Sequence, residues 1–159
     1  YALSENSNFV ICSGAKSILD LSKTNELLET LGITRIGYQT NYMPGFWYEE
    51  TENKVDNRFD EIHEISSFLK LNENIENKKS ILIFNKVPLN EALNKNDVEK
   101  WIINAAIKAD RNNISGKELT PFLIKEINEE SKNETLNANT SLIINNANLA
   151  GKIAKNFYS

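Results

Sequence analysis

A lysine set just past the end of a buried strand can act as an amine nucleophile, and one segment of this chain has that layout. In Val10-Ile11-Cys12-Ser13-Gly14-Ala15-Lys16 an apolar run is closed by Ser13-Gly14, the pattern of a buried strand ending in a turn, and Lys16 follows. Ligands of open α/β sheets bind at the carboxyl edge of the strands. A lysine partly desolvated there has its pKa lowered, and the neutral amine attacks a carbonyl to give a Schiff base. A solvated surface lysine has the same spacing and is the commoner case, so spacing alone leaves both readings open.

A second arrangement lies near the C-terminus. Asn139 and Asn146 stand about two helical turns apart and so share a face, where each amide can donate and accept hydrogen bonds to a polar substrate. A solvated helix in an asparagine-rich chain fits the same residues. His63 sits among Glu61 and Glu64 but lacks the second histidine of a zinc-enzyme helix, and reads as a surface residue. Cys12, between apolar neighbours and with no His or second Cys to activate it, reads as core packing. The Phe46-Trp47-Tyr48 group either lines a pocket or packs a loop.

The elements that must carry these residues alternate. Strands are expected at Phe9–Cys12, Thr34–Tyr38 and Ser80–Phe84. Between and after them, helices are expected from Ser22 as N-cap to Gly32 as C-cap, from Arg58 to Leu71, and from Asn96 or Asp97 to near Asn112-Asn113. Asn41 to Trp47, with Pro44-Gly45 inside, reads as a loop, and the asparagine-rich stretch from Leu71 to Lys79 as surface decoration. Thr120-Pro121 opens a further helix as N-cap and first residue, and a last helix runs from about Leu136 to Phe157. Parallel strands need crossover helices, so the alternation predicts an α/β fold, a layered α-β-α arrangement around a largely parallel sheet. No repeat or inter-domain linker is visible, and residues 1–159 read as part of a single domain.

Bulk composition narrows the function classes. With 159 residues, 40% hydrophobic and 25% charged, the chain can bury a core without disulfides or a structural metal. A net charge of -4 excludes a broad electropositive face for a nucleic acid polymer, though a local lysine could still hold one phosphate. One cysteine and one histidine give neither an internal disulfide nor a zinc cluster, which points to a reducing, cytoplasmic setting. No apolar run approaches the roughly 20 residues of a membrane span, and no signal peptide is evident.

Taken together, several blocks resemble one family. Val10 to Asp20, Leu27-Leu-Glu-Thr-Leu-Gly32, Ile36-Gly-Tyr-Gln-Thr40, Pro44-Gly-Phe-Trp-Tyr48, Gly116-Lys-Glu-Leu-Thr-Pro-Phe-Leu123 and Asn145-Asn-Ala-Asn-Leu-Ala150 are similar, in order and spacing, to pseudouridine-5'-phosphate glycosidases, also called indigoidine synthase A-like. The resemblance covers almost the whole chain and places it as the C-terminal part of that domain. It implies that Lys16 is the catalytic lysine and that Asn139 is the active-site asparagine near the start of the last helix. Ser13 stands where the family usually has Ala, and Ser131-Lys132-Asn133 replaces a Gly-Gly turn.

Those relatives cleave the bond from C1' of the sugar to C5 of uracil, giving uracil and ribose 5-phosphate. A carbon leaving group cannot be released by protonating an oxygen as in an ordinary glycoside. The resemblance implies that the sugar ring opens, the Lys16 amine bonds to C1', and the carbon–carbon bond breaks to leave a sugar imine, which water hydrolyses. It also implies manganese, held by an aspartate in an Asp-x-Ser-x-Asp-Leu segment, and a glutamate proton donor. Neither lies in this chain, and Tyr1-Ala2-Leu3 corresponds to residues just after that segment. The expected fold is therefore incomplete without upstream residues, and the expected partners are pseudouridine 5'-phosphate, the N-terminal portion of the same domain and two further copies in a homotrimer. A noncatalytic binding or assembly fragment, and an aldolase-like lyase using the same Schiff base, are the alternatives.

Overall fold

The computed structural model describes residues 1–76 and 78–159; Asn77, inside the asparagine-rich stretch, lies outside the described residues. Its sheet has four parallel strands, β1 (Phe9–Cys12), β2 (Thr34–Tyr38), β3 (Asn57–Phe59) and β4 (Ile81–Phe84), in the spatial order β1-β4-β2-β3. Helices α1 (Ala2–Glu5), α2 (Leu21–Thr30), α3 (Ile62–Asn72), α4 (Lys95–Arg111), α5 (Leu119–Glu130) and α6 (Glu134–Phe157) complete the fold. The architecture is the layered α/β one expected from the alternation.

The period-two geometry of strands separates the two faces. Ile36, Ile81 and Ile83 pack with Ile65 and Leu69 of α3 and Leu149, Ile153 and Phe157 of α6. Leu82 and Phe84 point the other way, toward Leu3 of α1 and Leu21 and Leu28 of α2. All four residues of β4 are buried, as suits a strand covered on both faces. A third cluster gathers α4, α5 and the first half of α6 around Trp47 and Tyr48, with Val98, Ala105, Ile127 and Leu142 at its centre.

Several element ends differ from the sequence expectation. Asp20, not Ser22, caps α2, its carboxylate accepting from the Lys23 amide. In the same way Asn94 caps α4 through its amide oxygen. α5 starts at Leu119 after a 3-10 turn over Gly116–Glu118, so Thr120 lies inside the helix and Pro121 in its first turn, where the missing N–H has no intrahelical partner to lose. β3 was not expected; it occupies residues assigned to the start of a helix that in fact begins at Ile62. Arg35, buried at the start of β2, fastens β3 in place: its backbone N–H and its guanidinium both donate to the Asp56 carboxylate, and the Asp56 N–H donates to the Arg35 carbonyl at 2.9 Å.

Among the described residues no helix is long and apolar enough to cross a membrane.

Candidate active site

The carboxyl ends of β1, β2 and β4 point to one edge of the sheet, and the chain after each of them carries polar residues. Beyond β1 the chain turns at Gly14, whose φ is +88° and whose added Cβ would stand 2.1 Å from the Pro44 carbonyl oxygen. Only glycine accommodates both the dihedral and the approach. That contact is the start of a clamp. The excursion between β2 and β3 folds back through a Tyr42–Lys54 bridge, and its Phe46 N–H donates to the Ser13 carbonyl at 3.1 Å while the Ser17 hydroxyl donates to the Gly45 carbonyl. The Lys16 turn is thus held from both sides.

Helix α6 runs past this edge and is tied to it by amides. Asn146 donates to the Ser13 hydroxyl at 3.0 Å, and its oxygen accepts from the Asn85 amide at 3.1 Å. Asn145 donates to the Lys86 carbonyl at 3.0 Å. Asn146, which shares a helix face with Asn139, is therefore spent inside the protein on joining α6 to β1 and β4. Of the two readings the sequence leaves open for it, these bonds support the structural one.

Asn139 stays half-buried and lines a cavity of about 120 Å³ together with Lys16, Ile18, Trp47, Asn128 and Thr135. The structure thus brings Lys16 and Asn139, 123 residues apart in sequence, to one cavity. Buried Thr135 supports its wall, donating to Asn128 at 2.6 Å and bonding the Ser131 hydroxyl at 2.9 Å. Trp47 is 4% exposed, and its indole N–H has no hydrogen-bond partner among the described residues. Of the aromatic group, Phe46 and Trp47 line this cavity, while Tyr48 lies on a separate open surface with Glu49, Glu50 and Lys95.

Lys16 itself is exposed. The burial expected of it at the strand edge is not seen among the described residues. Cys12 is half-buried and packs with Leu82 and Phe84, and burial pushes its thiol pKa up, against a hydrogen bond from Gly14, so the thiol stays protonated. His63 is exposed.

Sequence reading missed a second lysine at the same edge. Lys86 follows β4 as Lys16 follows β1, and its ammonium lies 3.4 Å from Glu49 and 3.3 Å from Glu50, the latter also accepting from buried Thr40 at 2.7 Å. The available signal was the apolar Ile81-Leu-Ile-Phe84 run followed by Asn85-Lys86. Among the described residues no group of three or more His, Cys, Asp or Glu is placed to hold a metal ion.

Comparison with known proteins is consistent along nearly the whole chain. The family described as indigoidine synthase A like protein matches residues 1–156. A pseudouridine-5'-phosphate glycosidase of Kosmotoga olearia is 43% identical over 152 residues, 96% of this chain and 53% of that protein. One from Staphylococcus aureus is 40% identical, covering 96% of this chain and 50% of that one. Among solved structures, a prealnumycin C-glycosynthase in complex with ribulose 5-phosphate superposes with a TM-score of 0.88 at 27% identity, over 95% of this chain and 50% of the other. An indigoidine synthase A-like protein of Thermotoga maritima gives 0.83 at 32% identity, over 96% of this chain and 50% of the other. The chain spans about half the length of the curated relatives it matches.

Proposed function

We propose, because this chain belongs to the indigoidine synthase A-like family, that it carries the imine-forming part of a site that cleaves pseudouridine 5'-phosphate to uracil and ribose 5-phosphate. The observation that carries the reading is the shared cavity of Lys16 and Asn139. At about 120 Å³ it is smaller than the roughly 300 Å³ at which small-molecule pockets begin, so this chain supplies one wall of a larger site. Relatives named for that activity, and a neighbouring structure named as a C-glycosynthase with a five-carbon sugar phosphate bound, support the substrate class.

In this mechanism the Lys16 nitrogen bonds to C1' as the C1'–O4' bond opens. An acid outside this chain protonates C5 of the base, the C1'–C5 electron pair returns to the uracil ring, and the nitrogen lone pair forms the C=N bond. Water hydrolyses the imine, releasing ribose 5-phosphate and the free amine. Asn139 donates to, or accepts from, the open sugar or the base and fixes its orientation. Manganese, in this reading, takes its ligands from outside this chain, since hard cations prefer clustered oxygen donors. None of the steps assigned to Lys16 and Asn139 requires it. Assembly as a homotrimer belongs to the same reading, and exposed Ile103 and Ile107, one turn apart on α4, offer apolar surface for such contacts.

The test is chemical trapping. Borohydride reduction of the complete enzyme with ribose 5-phosphate is expected to add the reduced sugar to Lys16, located by peptide mass spectrometry. Labelling of another lysine, or none, overturns the assignment, and trapping of ribose 5-phosphate by an enzyme that releases no uracil from pseudouridine 5'-phosphate favours an aldolase-like lyase instead.

A further inference from the structure

The cavity shared by Lys16 and Asn139 has a second amide on its lining, and the turn between α5 and α6 fixes which way that amide faces. Asn128 lies in the last turn of α5. Its backbone carbonyl accepts from the Asn133 N–H at 2.9 Å, the bond that closes the left-handed turn of Lys132 and Asn133 into α6. Its side chain is held from α6 as well, by the hydroxyl of buried Thr135 at 2.6 Å. That separation belongs to an O–H···O bond and is short for N–H···O, so the amide oxygen faces Thr135. Thr135 has one proton to give; with it spent on Asn128, the Thr135 oxygen accepts from buried Ser131 at 2.9 Å. The oxygen of Asn128 is therefore engaged. Its NH2 group has no hydrogen-bond partner among the described residues and is left for the cavity.

The other unspent polar groups on the lining are mainly donors too. Trp47 keeps a buried indole N–H that costs free energy until an acceptor reaches it. Lys16 offers an ammonium, and Asn139 can both donate and accept. Around these groups stand Ile18, Phe46, Ile124 and Leu136. Aliphatic and aromatic walls are poor surroundings for a polyhydroxylated sugar or a phosphate, and they suit a flat ring whose edge carries carbonyl oxygens. At about 120 Å³ the cavity has room for one ring rather than a whole nucleotide.

We infer that Asn128 is a base-binding residue, whose NH2 group donates to a carbonyl oxygen of the pyrimidine ring, and that Thr135 is a positioning residue acting through it. The identity of the ring as uracil rests on the cleavage reading above; the donor set itself requires only a ring bearing carbonyls.

The experiment titrates uracil into the complete enzyme by calorimetry and separately measures borohydride trapping at Lys16 with ribose 5-phosphate, which carries no base. Asn128→Ala is expected to weaken uracil binding about tenfold, the scale of a hydrogen bond lost with its partner left unpaired. Asn128→Asp keeps the acceptor for Thr135 but puts an oxygen in place of the NH2. It is expected to weaken uracil binding more than Asn128→Ala does, because two acceptors then face each other. An amide with a structural role alone gives the opposite order, since aspartate preserves the bond to Thr135. Thr135→Val is expected to weaken uracil binding about threefold in the parent and to add nothing in the Asn128→Ala background, as for a residue that acts through its neighbour. The ribose 5-phosphate concentration that half-saturates trapping is expected to stay close to the parent's in Asn128→Ala and Thr135→Val. The inference is overturned by a parent that binds no uracil, by Asn128→Asp binding uracil as well as or better than Asn128→Ala, by equal losses of uracil binding and sugar trapping, or by the Thr135→Val loss persisting in full without Asn128. A parent that binds uracil, with variants in the expected order, but traps no sugar at Lys16 upholds the inference and overturns the imine reading instead.

Discussion

Lys16 and Asn139 were singled out in the sequence because each sits in a recognisable block near an element end. Their meeting in one cavity needed the closed fold. Asn146 shows the converse: by spacing it equals Asn139, but the closing of α6 over β1 and β4 places its amide between Ser13 and Asn85, and no local pattern announces that. Lys16→Ala in the complete enzyme is expected to abolish both turnover and sugar trapping, and Lys16→Arg to fail equally, because a guanidinium that stays protonated cannot form an imine. Far-ultraviolet circular dichroism and Tm should be unchanged, since the side chain is exposed. Asn139→Ala is expected to lower kcat by about 10²-fold, the scale on which misplacing a bound substrate acts, while trapping at Lys16 persists at a reduced rate. Retained kcat would assign Asn139 to the cavity wall alone.

At the scale of elements, strands with unbroken apolar runs were readable and β3 was not. Three residues, one of them Arg58, offer no period to detect; β3 exists because Arg35 and Asp56 fasten it to β2. Burial pushes the Asp56 carboxyl up, but hydrogen bonds from Arg35 and its charge outweigh that and hold it below the usual carboxylate range. A depressed pKa contributes stability above the unfolded value of about 4, lost as pH falls through the folded value. Asp56→Asn is therefore expected to cost about 2 kcal/mol at neutral pH, the scale of a hydrogen bond to a charged group, discounted because solvent reaches Asp56. The difference from the parent should shrink in denaturant melts run progressively below pH 4. The Ser131-Lys132-Asn133 turn before α6 holds Lys132 at φ 52° and Asn133 at φ 68°, left-handed values that explain why Gly-Gly suits this place. Lys132 is exposed, so Lys132→Gly should remove only backbone strain, a gain of about 0.5–1 kcal/mol visible as a raised Tm. A lowered Tm would show that the lysine side chain stabilises the turn.

For the whole molecule, a folded core and an incomplete site coexist. Three apolar clusters bury the sheet and helices, so the chain has the interior of a stable body. Its chemistry is one-sided: the Lys16 amine and the Asn128 and Asn139 amides line the cavity, while among the described residues no carboxylate does. An imine mechanism with a carbon leaving group needs an acid for C5 of the base. Removing one member of a cooperating catalytic set costs orders of magnitude in rate, and in the proposed reading both the acid and the metal ligands come from outside this chain. This chain alone, residues 1–159, is therefore expected to bind manganese weakly and to release no uracil from pseudouridine 5'-phosphate. Calorimetry with manganese and a uracil assay on the isolated chain measure both, and the assay repeated after co-expression with the unspanned half of a relative should recover turnover. Full activity from the isolated chain would mean that a group within it protonates the base, with Glu49 and Glu50, paired to Lys86 at the same edge of the sheet, the first carboxylates to substitute.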